Sequence, residues 1–348
     1  MILSINRKNI VNLLYPINKK TCKFVLNPNS IRLPVAEEMK KFEGFFSNVM
    51  KSKVPLLGII TNYIYRRKGK QIRPLLVFLT SGLNGGITNS TYIAASMIEL
   101  LHTATLIHDD VVDEAYERRG SFSINALWRS KIAVLVGDFL LSKGLLVAIE
   151  NDEFELLKHM SKAVKEMSEG ELMQIERSRK MDIDEDIYFD IIRKKTATLL
   201  ASCAVNGAQA ANASAENLAK MYNFGENLGI AFQIKDDIFD YEPKGIIGKP
   251  TGNDIKENKL TLPIIHALSK VNNSEQLRVR KLLRKSKQNS KAVEEVISFT
   301  VAQGGVEYAK QKMQFYASES KKILETYPDS DYKESLNMLI DYITTRKK

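Results

Sequence analysis

Apolar residues recur every three to four positions from about residue 35 to residue 327, and no stretch sustains an alternating period of two. That periodicity marks amphipathic helices, each with one face to bury. It predicts helices over residues 35–51, 56–67, 73–83, 90–110, 124–146, 153–180, 184–213, 215–240, 262–270, 274–285, 291–303 and 306–327. Ser90 and Ser214 stand where N-caps belong, each with an oxygen able to accept from the unpaired N–H groups of a first turn. Breaks fall at Asn84-Gly85-Gly86, over residues 243–252 and at Gln303-Gly304-Gly305. No Gly/Ser- or Pro-rich linker divides the chain. The pattern therefore predicts an all-α fold, a large single-domain helical bundle over residues 35–348, behind a weakly ordered N-terminal extension over residues 1–34. Long apolar helices of this kind place a site at one mouth of the bundle, between facing helices.

Composition narrows the partners. At 348 residues, with 44% hydrophobic and 26% charged positions, the chain is ordinary for a globular protein. Its two cysteines, Cys22 and Cys203, make neither a disulfide framework nor a metal-ligand cluster, which fits a reducing, cytoplasmic setting. The four histidines are too scattered for a zinc site. A formal charge of +10 invites a nucleic-acid or anionic-membrane partner, yet there is no long Lys/Arg block and no basic strand interleaved with aromatics. Small polyanions fit better than nucleic acid. The most apolar window, residues 132–149, is interrupted by Asp138 and Lys143, so no transmembrane segment is expected. Residues 1–35 lack Asp and Glu but carry Arg7, Lys8, Lys19, Lys20, Lys23 and Arg32. Serine is sparse there, which favours an extension over a transit peptide. Arg346-Lys347-Lys348 reads as a frayed, solvated tail rather than a cover for the site.

Two acidic motifs carry the chemistry. Asp109-Asp110-Val111-Val112-Asp113 and Asp236-Asp237-Ile238-Phe239-Asp240 share the spacing D-D-x-x-D, and each is entered by an apolar stretch that reads as helix. On a helix, residues i and i+4 lie on one face, so Asp109 projects with Asp113 and Asp236 with Asp240. One such motif is most often a solvated helix end. Two copies on two apolar helices point instead to a site, because carboxylates there are costly unless paired or bound to metal. Mg²⁺ takes one or two carboxylates and completes its shell with phosphate oxygens and water. Two facing clusters would hold several Mg²⁺ around one diphosphate. Residues 243–252 resemble a phosphate-binding loop in composition alone, since they lack its spacing and follow a helix. A lid that carries Lys249 fits them better.

The sequence resembles the trans-type (E-type) polyprenyl diphosphate synthases from about residue 35 to the C-terminus, and most of all the medium- and long-chain, octaprenyl-type bacterial members. The resemblance is carried by Gly69-Lys70-Gln71-Ile72-Arg73-Pro74, by His102 through Asp113, by Arg118-Arg119-Gly120, by Lys195-Thr196 and by Phe232 through Asp240. Gly248-Lys249-Pro250-Thr251-Gly252-Asn253-Asp254 and Lys259 match as well. It implies an all-α bundle with a deep central cavity, a homodimer, and a Mg²⁺-dependent prenyltransferase with three ions per site. The reaction implied joins isopentenyl diphosphate to an allylic diphosphate such as farnesyl diphosphate. By the same resemblance Asp109, Asp113 and Asp236 hold Mg²⁺, with Asp110, Asp237 and Asp240 auxiliary. Arg118, Lys195, Lys249 and Lys259 grip the allylic diphosphate. Thr196 and Gln233 aim oxygens at the developing cation, and Lys70, Arg73, His102 and Arg119 form the metal-free isopentenyl diphosphate site. Asp138 also matches a family pattern and reads as structural.

Product length is expected from the helix before the first motif. A growing tail runs away from the metal site past Thr105 and Ala104, both small, towards Leu101, about 12 Å down at about 1.5 Å per residue. Short-chain relatives place a bulky aromatic floor there, so the expected product is about C30 to C40, of the kind that becomes a quinone side chain. Transient membrane contact during product release is also expected. The alternatives are a short-chain farnesyl or geranylgeranyl diphosphate synthase, a terpene cyclase or squalene-synthase-like enzyme, and a non-catalytic partner subunit of a heteromeric synthase. An intact second motif together with Lys70, Arg73 and His102 argues against a cyclase, and two intact motifs argue against a non-catalytic subunit.

Overall fold

A computed structural model describes residues 28–67, 69–118, 120–242 and 252–346. The chain forms α1 (Pro28–Ile31), a 3₁₀ turn (Leu33–Val35), α2 (Ala36–Val49), α3 (Pro55–Arg66), α4 (Ile72–Leu83) and α5 (Asn89–Val112). A two-residue antiparallel hairpin, β1 (Glu117–Arg118) and β2 (Ser121–Phe122), leads into α6 (Ile124–Ile149) and α7 (Phe154–Lys180). Then come α8 (Glu185–Ile192), a π-helical turn (Arg193–Ala197), α9 (Thr198–Ala210) and α10 (Ala215–Phe239). The chain closes with α11 (Asn253–Lys256), α12 (Leu262–Ser269), α13 (Asn273–Lys285), α14 (Ser290–Ala302), α15 (Gly305–Glu325) and α16 (Asp331–Thr345).

The bundle is built around α9, which is buried over nearly its whole length. Small residues on every face, Ala201, Ala204, Gly207 and Ala208 among them, let α4, α5, α7 and α10 pack around it. Outside that ring, α6 packs along α5, and α15 along α10. Phe224 and Leu228 of α10 are fully buried. Burial of side chains this size contributes about 1.5–3 kcal/mol each. This packing holds the C-terminal ends of α5 and α10, where the two acidic motifs lie.

Most of the predicted helices form close to their expected bounds, with five differences. Ser214 caps α10 by accepting from the Asn217 N–H, but Ser90 lies inside α5 and donates to Glu153. The N-cap of α5 is Thr88, whose own N–H donates to Thr91 Oγ1 at 3.0 Å. The single helix expected over 184–213 is divided by the π-helical turn, which carries Lys195 and Thr196. Residues 331–345, for which the periodicity names no helix, form α16, with Leu336, Leu339, Ile340 and Ile343 on one buried face behind a Ser330 cap. Residues 28–34 of the expected loose extension join the bundle, with Ile31 buried and α1 packed on α16. Residues 1–27 lie outside the described ones. Lastly, α6 is long and apolar enough by composition to cross a membrane, against the reading of residues 132–149 as too polar. Its inner face packs on α5, while Leu127, Val134, Leu135, Leu145, Leu146 and Ile149 are exposed.

Candidate active site

The first acidic cluster forms at the C-terminal end of α5, where Asp113 is the C-cap. Asp109 and Asp113 are exposed, and no ion pair or hydrogen bond joins either side chain to another described side chain. Asp110 points the other way and is buried, accepting from Arg118 Nε at 2.7 Å. Asp109 is held above the usual carboxylate range, first by partial burial and then by the charges of Glu171 and Asp113. Lys195 and Arg118 oppose that shift. Burial also raises Asp110, against the pull of Arg118.

The second cluster ends α10 and is braced at every carboxylate. Asp236 Oδ1 accepts from Arg346 Nη2 at 2.5 Å, and that guanidinium lies 4.2 Å from the ring centroid of Phe232. Asp237 is buried, accepting from Tyr188 O–H at 2.6 Å on one oxygen and from Gln233 Nε2 at 2.9 Å on the other. Asp240 accepts from the Asp254 backbone N–H at 2.6 Å. Burial, together with the nearby Asp254 charge, pushes Asp237 up to about 8 although both its hydrogen bonds oppose the shift. Burial and the charge of Asp240 push Asp254 up to about 6. The tail expectation is thereby corrected, because Arg346 is drawn onto Asp236 by opposite charge and by the flat ring face beneath it. Residues 347–348 lie outside the described ones.

Two lysines connect the clusters. Lys195 donates to Gln174 Oε1 at 2.5 Å, pairs with Glu171 at 2.5 Å, and its charge acts on Asp109. Its position depends on close packing around the π-helical turn. A Cβ on Gly170 would lie 2.7 Å from the Lys195 nitrogen, and one on Gly229 would lie 2.5 Å from the Ala197 Cα. Only glycine lets α7 and α10 approach the turn this closely. Thr196 Oγ1 then donates to Gln233 Oε1 at 2.8 Å. Lys259 pairs with Glu257 at 2.5 Å; burial opposes its charge, but Glu257, Asp254 and Asp113 outweigh burial and raise it. Lys195, Thr196, Gln233, Asp237 and Lys259 line one cavity of about 100 Å³.

A larger cavity of about 370 Å³ opens between α3, α5 and the hairpin, lined by Tyr63, Glu99, His102, Leu106, Arg118 and Phe122 among others. His102 is buried on its wall, and Gly69, next to Lys70, lines it too. Lys70 Nζ donates to Tyr342 O–H at 2.9 Å, and Arg73 occupies the first turn of α4. Arg119 and Lys249 lie outside the described residues. Leu101, Thr105 and Asp109 follow one another at i+4 spacing on one face of α5. Ala104 lies instead on the stripe of Leu100 and His108, which meets Gly144 and Gly137 of α6. His108 also lies 3.6 Å from Asp138 of α6.

The donor set fits Mg²⁺. The described residues contain no group of three His, Cys, Asp or Glu side chains that would enclose an ion. Asp109 and Asp113 at the end of α5 and Asp236 at the end of α10 are hard oxygen donors, which would leave most of each coordination shell to phosphate oxygens and water. Sequence reasoning passed over Glu171, Gln174, Tyr188, Tyr342 and Asp254 as an acid. Asp254 closes the matched 248–254 stretch but was given no role there, and it is the fold that brings the others to the site.

The family described as Polyprenyl synthetase matches residues 54–300. An all-trans-nonaprenyl-diphosphate synthase (geranyl-diphosphate specific) of Rhodobacter capsulatus is 34% identical over 88% of this chain and 94% of its own length. A short chain isoprenyl diphosphate synthase of Methanothermobacter thermautotrophicus is also 34% identical, over 80% of this chain and 87% of its own. The crystal structure of a polyprenyl synthase from Caulobacter crescentus, complexed with calcium and isoprenyl diphosphate, superposes with a TM-score of 0.85 at 28% identity, covering 92% of this chain and 98% of that one.

Proposed function

The chain belongs to the polyprenyl synthetase family, and from that premise we propose that it condenses isopentenyl diphosphate with an allylic diphosphate to build a trans-polyprenyl diphosphate. It is a prenyltransferase. The observation that carries the specific reading is that the two acidic helix ends share a pair of lysines. Lys195 acts on Asp109 and lines a cavity with Asp237, while Lys259 acts on Asp113 and Asp254. Such an arrangement suits a leaving diphosphate held from two sides.

In this reading the allylic C–O bond breaks and the electron pair leaves with the diphosphate. The double bond of isopentenyl diphosphate attacks the allylic carbon, and a proton then leaves, accepted by the departed diphosphate. Three Mg²⁺ ions on Asp109, Asp113 and Asp236 would supply charge stabilisation to that leaving group. Arg118, Lys195 and Lys259 hold the diphosphate, joined by Lys249. Thr196 and Gln233 face the nascent cation. Lys70, Arg73, His102 and Arg119 bind isopentenyl diphosphate, for which a planar guanidinium is well shaped. His102 on the wall of the 370 Å³ cavity, with Gly69 beside Lys70 lining it too, supports that assignment. The exposed apolar stripe of α6 supports a homodimer, since a second copy would cover it. The setting read from the cysteines is cytoplasmic, with brief membrane contact as the apolar product leaves.

The product we assign is about C30 to C40, suited to a quinone side chain. Thr105 is small and shares the face of Asp109, which supports a first turn below the metal site without a bulky floor. The test is to incubate the purified protein with Mg²⁺, labelled isopentenyl diphosphate and farnesyl diphosphate, then chromatograph the dephosphorylated products. Release of only C15 or C20 would overturn the length and favour the short-chain alternative. Absence of any condensation would overturn the reaction and leave a non-catalytic subunit. Thr105→Tyr is expected to shorten the product while keeping the first condensation, because Thr105 lies beyond the diphosphate-binding residues.

A further inference from the structure

We infer that Tyr188 is a positioning residue for the condensation, fixing Asp237 and, through it, the side-chain amide of Gln233. The inference rests on the reaction proposed above and deepens it. Tyr188, midway along α8, is buried, and its hydroxyl donates to Asp237 Oδ2 at 2.6 Å. Asp237 Oδ1 accepts from Gln233 Nε2 at 2.9 Å, and Gln233 Oε1 accepts from Thr196 Oγ1 at 2.8 Å. The chain Tyr188–Asp237–Gln233–Thr196 runs from α8 through α10 to the π-helical turn, and all four residues line the same 100 Å³ cavity.

Each link constrains the next. The two ends of the Gln233 amide differ, so the acceptor on one side and the donor on the other leave a single orientation, with the oxygen towards Thr196. That orientation holds only while Asp237 presents Oδ1 to Gln233. Asp237 keeps that pose because Tyr188 occupies its second oxygen. The phenol is a suitable anchor, with its ring edge-on to Phe189 at 5.3 Å and few torsions left to vary. Without the hydroxyl, Asp237 would retain a buried oxygen lacking a donor, which is costly enough to make the carboxyl rotate or admit water. Either response moves the anchor of Gln233. A shift of about 1 Å in a group facing a reacting centre lowers rate by about 100-fold while ground-state binding elsewhere is spared.

The test is steady-state kinetics of Tyr188→Phe on isopentenyl and allylic diphosphates. The expected result is a kcat lower by about 10- to 100-fold, with the KM for isopentenyl diphosphate within about 2-fold of wild type. Tyr188→Phe combined with Gln233→Ala should be no more than about 3-fold slower than Gln233→Ala alone, because both act through one amide. Combined with Arg73→Ala, in the other pocket, the effects should multiply. A purely structural role would lower the melting temperature and multiply with both. Should Tyr188→Phe fail to fold, Asp237→Asn carries the same expectation, since its amide cannot accept from Tyr188 and Gln233 on separate oxygens. An unchanged kcat, a rise confined to KM, or multiplication with Gln233→Ala would overturn the inference. If the wild type itself forms no product, the functional reading fails instead; a wild type that condenses beside an equally fast Tyr188→Phe removes only the role of Tyr188.

Discussion

The two acidic clusters have the same five-residue spacing at the ends of two apolar helices, yet the fold treats them differently. On α5 the outer carboxylates, Asp109 and Asp113, are exposed, and only Asp110 is tied down, to Arg118. On α10 each carboxylate has a partner from elsewhere in the chain: Arg346 for Asp236, Tyr188 for Asp237 (which also accepts from Gln233 of the same helix), and the Asp254 amide for Asp240. A motif thus sets which side chains share a helix face. Neighbours from distant sequence then decide which carboxylates stay available to a cation and which become braces.

The comparison breaks most visibly in turnover. Asp109→Ala and Asp236→Ala are each expected to lower kcat by about a thousandfold or more, because each removes support for charge separation. Asp110→Ala, which removes a buried partner of Arg118, should cost far less. Equal losses at Asp109 and Asp110 would mean that the spacing alone, and not the exposure, sets the roles.

A smaller effect is expected in the pH dependence of stability without metal. Asp237, pushed up to about 8, and Asp254, pushed up to about 6, keep protons that the unfolded chain has already released. The folded state therefore binds more protons than the unfolded state in this range. The stability these two carboxyls contribute is fully present below about pH 4 and is lost as pH rises through 6 and 8. Asp237→Asn should remove up to one proton from that slope, about 1.4 kcal/mol per pH unit. Thermal melts of the metal-free protein and of the variant between pH 5 and 8 measure this. Parallel slopes would show that Asp237 is not proton-bound in the folded chain.

The smallest effect concerns Arg346, whose guanidinium occupies an oxygen of Asp236 that a metal would use. Arg346→Ala should lower the Mg²⁺ concentration for half-maximal activity by about 2- to 5-fold, consistent with the modest worth of a partly solvated pair. A Mg²⁺ titration at fixed substrates gives the answer. A higher requirement in the variant would mean that the arginine assists the loaded site instead of competing for it.

The amino-acid sequence by itself determined the all-α fold, most helix positions and the placing of both acidic motifs at helix ends. Those follow from a 3.6-residue period, which is local. Local too was the Ser214 cap, whereas Thr88, not Ser90, starts α5, because residues 88–91 bond among themselves and Ser90 turns to Glu153. Tertiary structure alone decided that Arg346 leaves solvent for Asp236, that Tyr188 reaches Asp237 across 49 positions, and that Gly170 and Gly229 seat the turn bearing Lys195. It also placed Ala104 against α6 while Thr105 kept the face of Asp109. Contacts of this kind depend on how helices pack around α9, and packing angles are set by side chains far apart in the chain, so no short window of residues contains them.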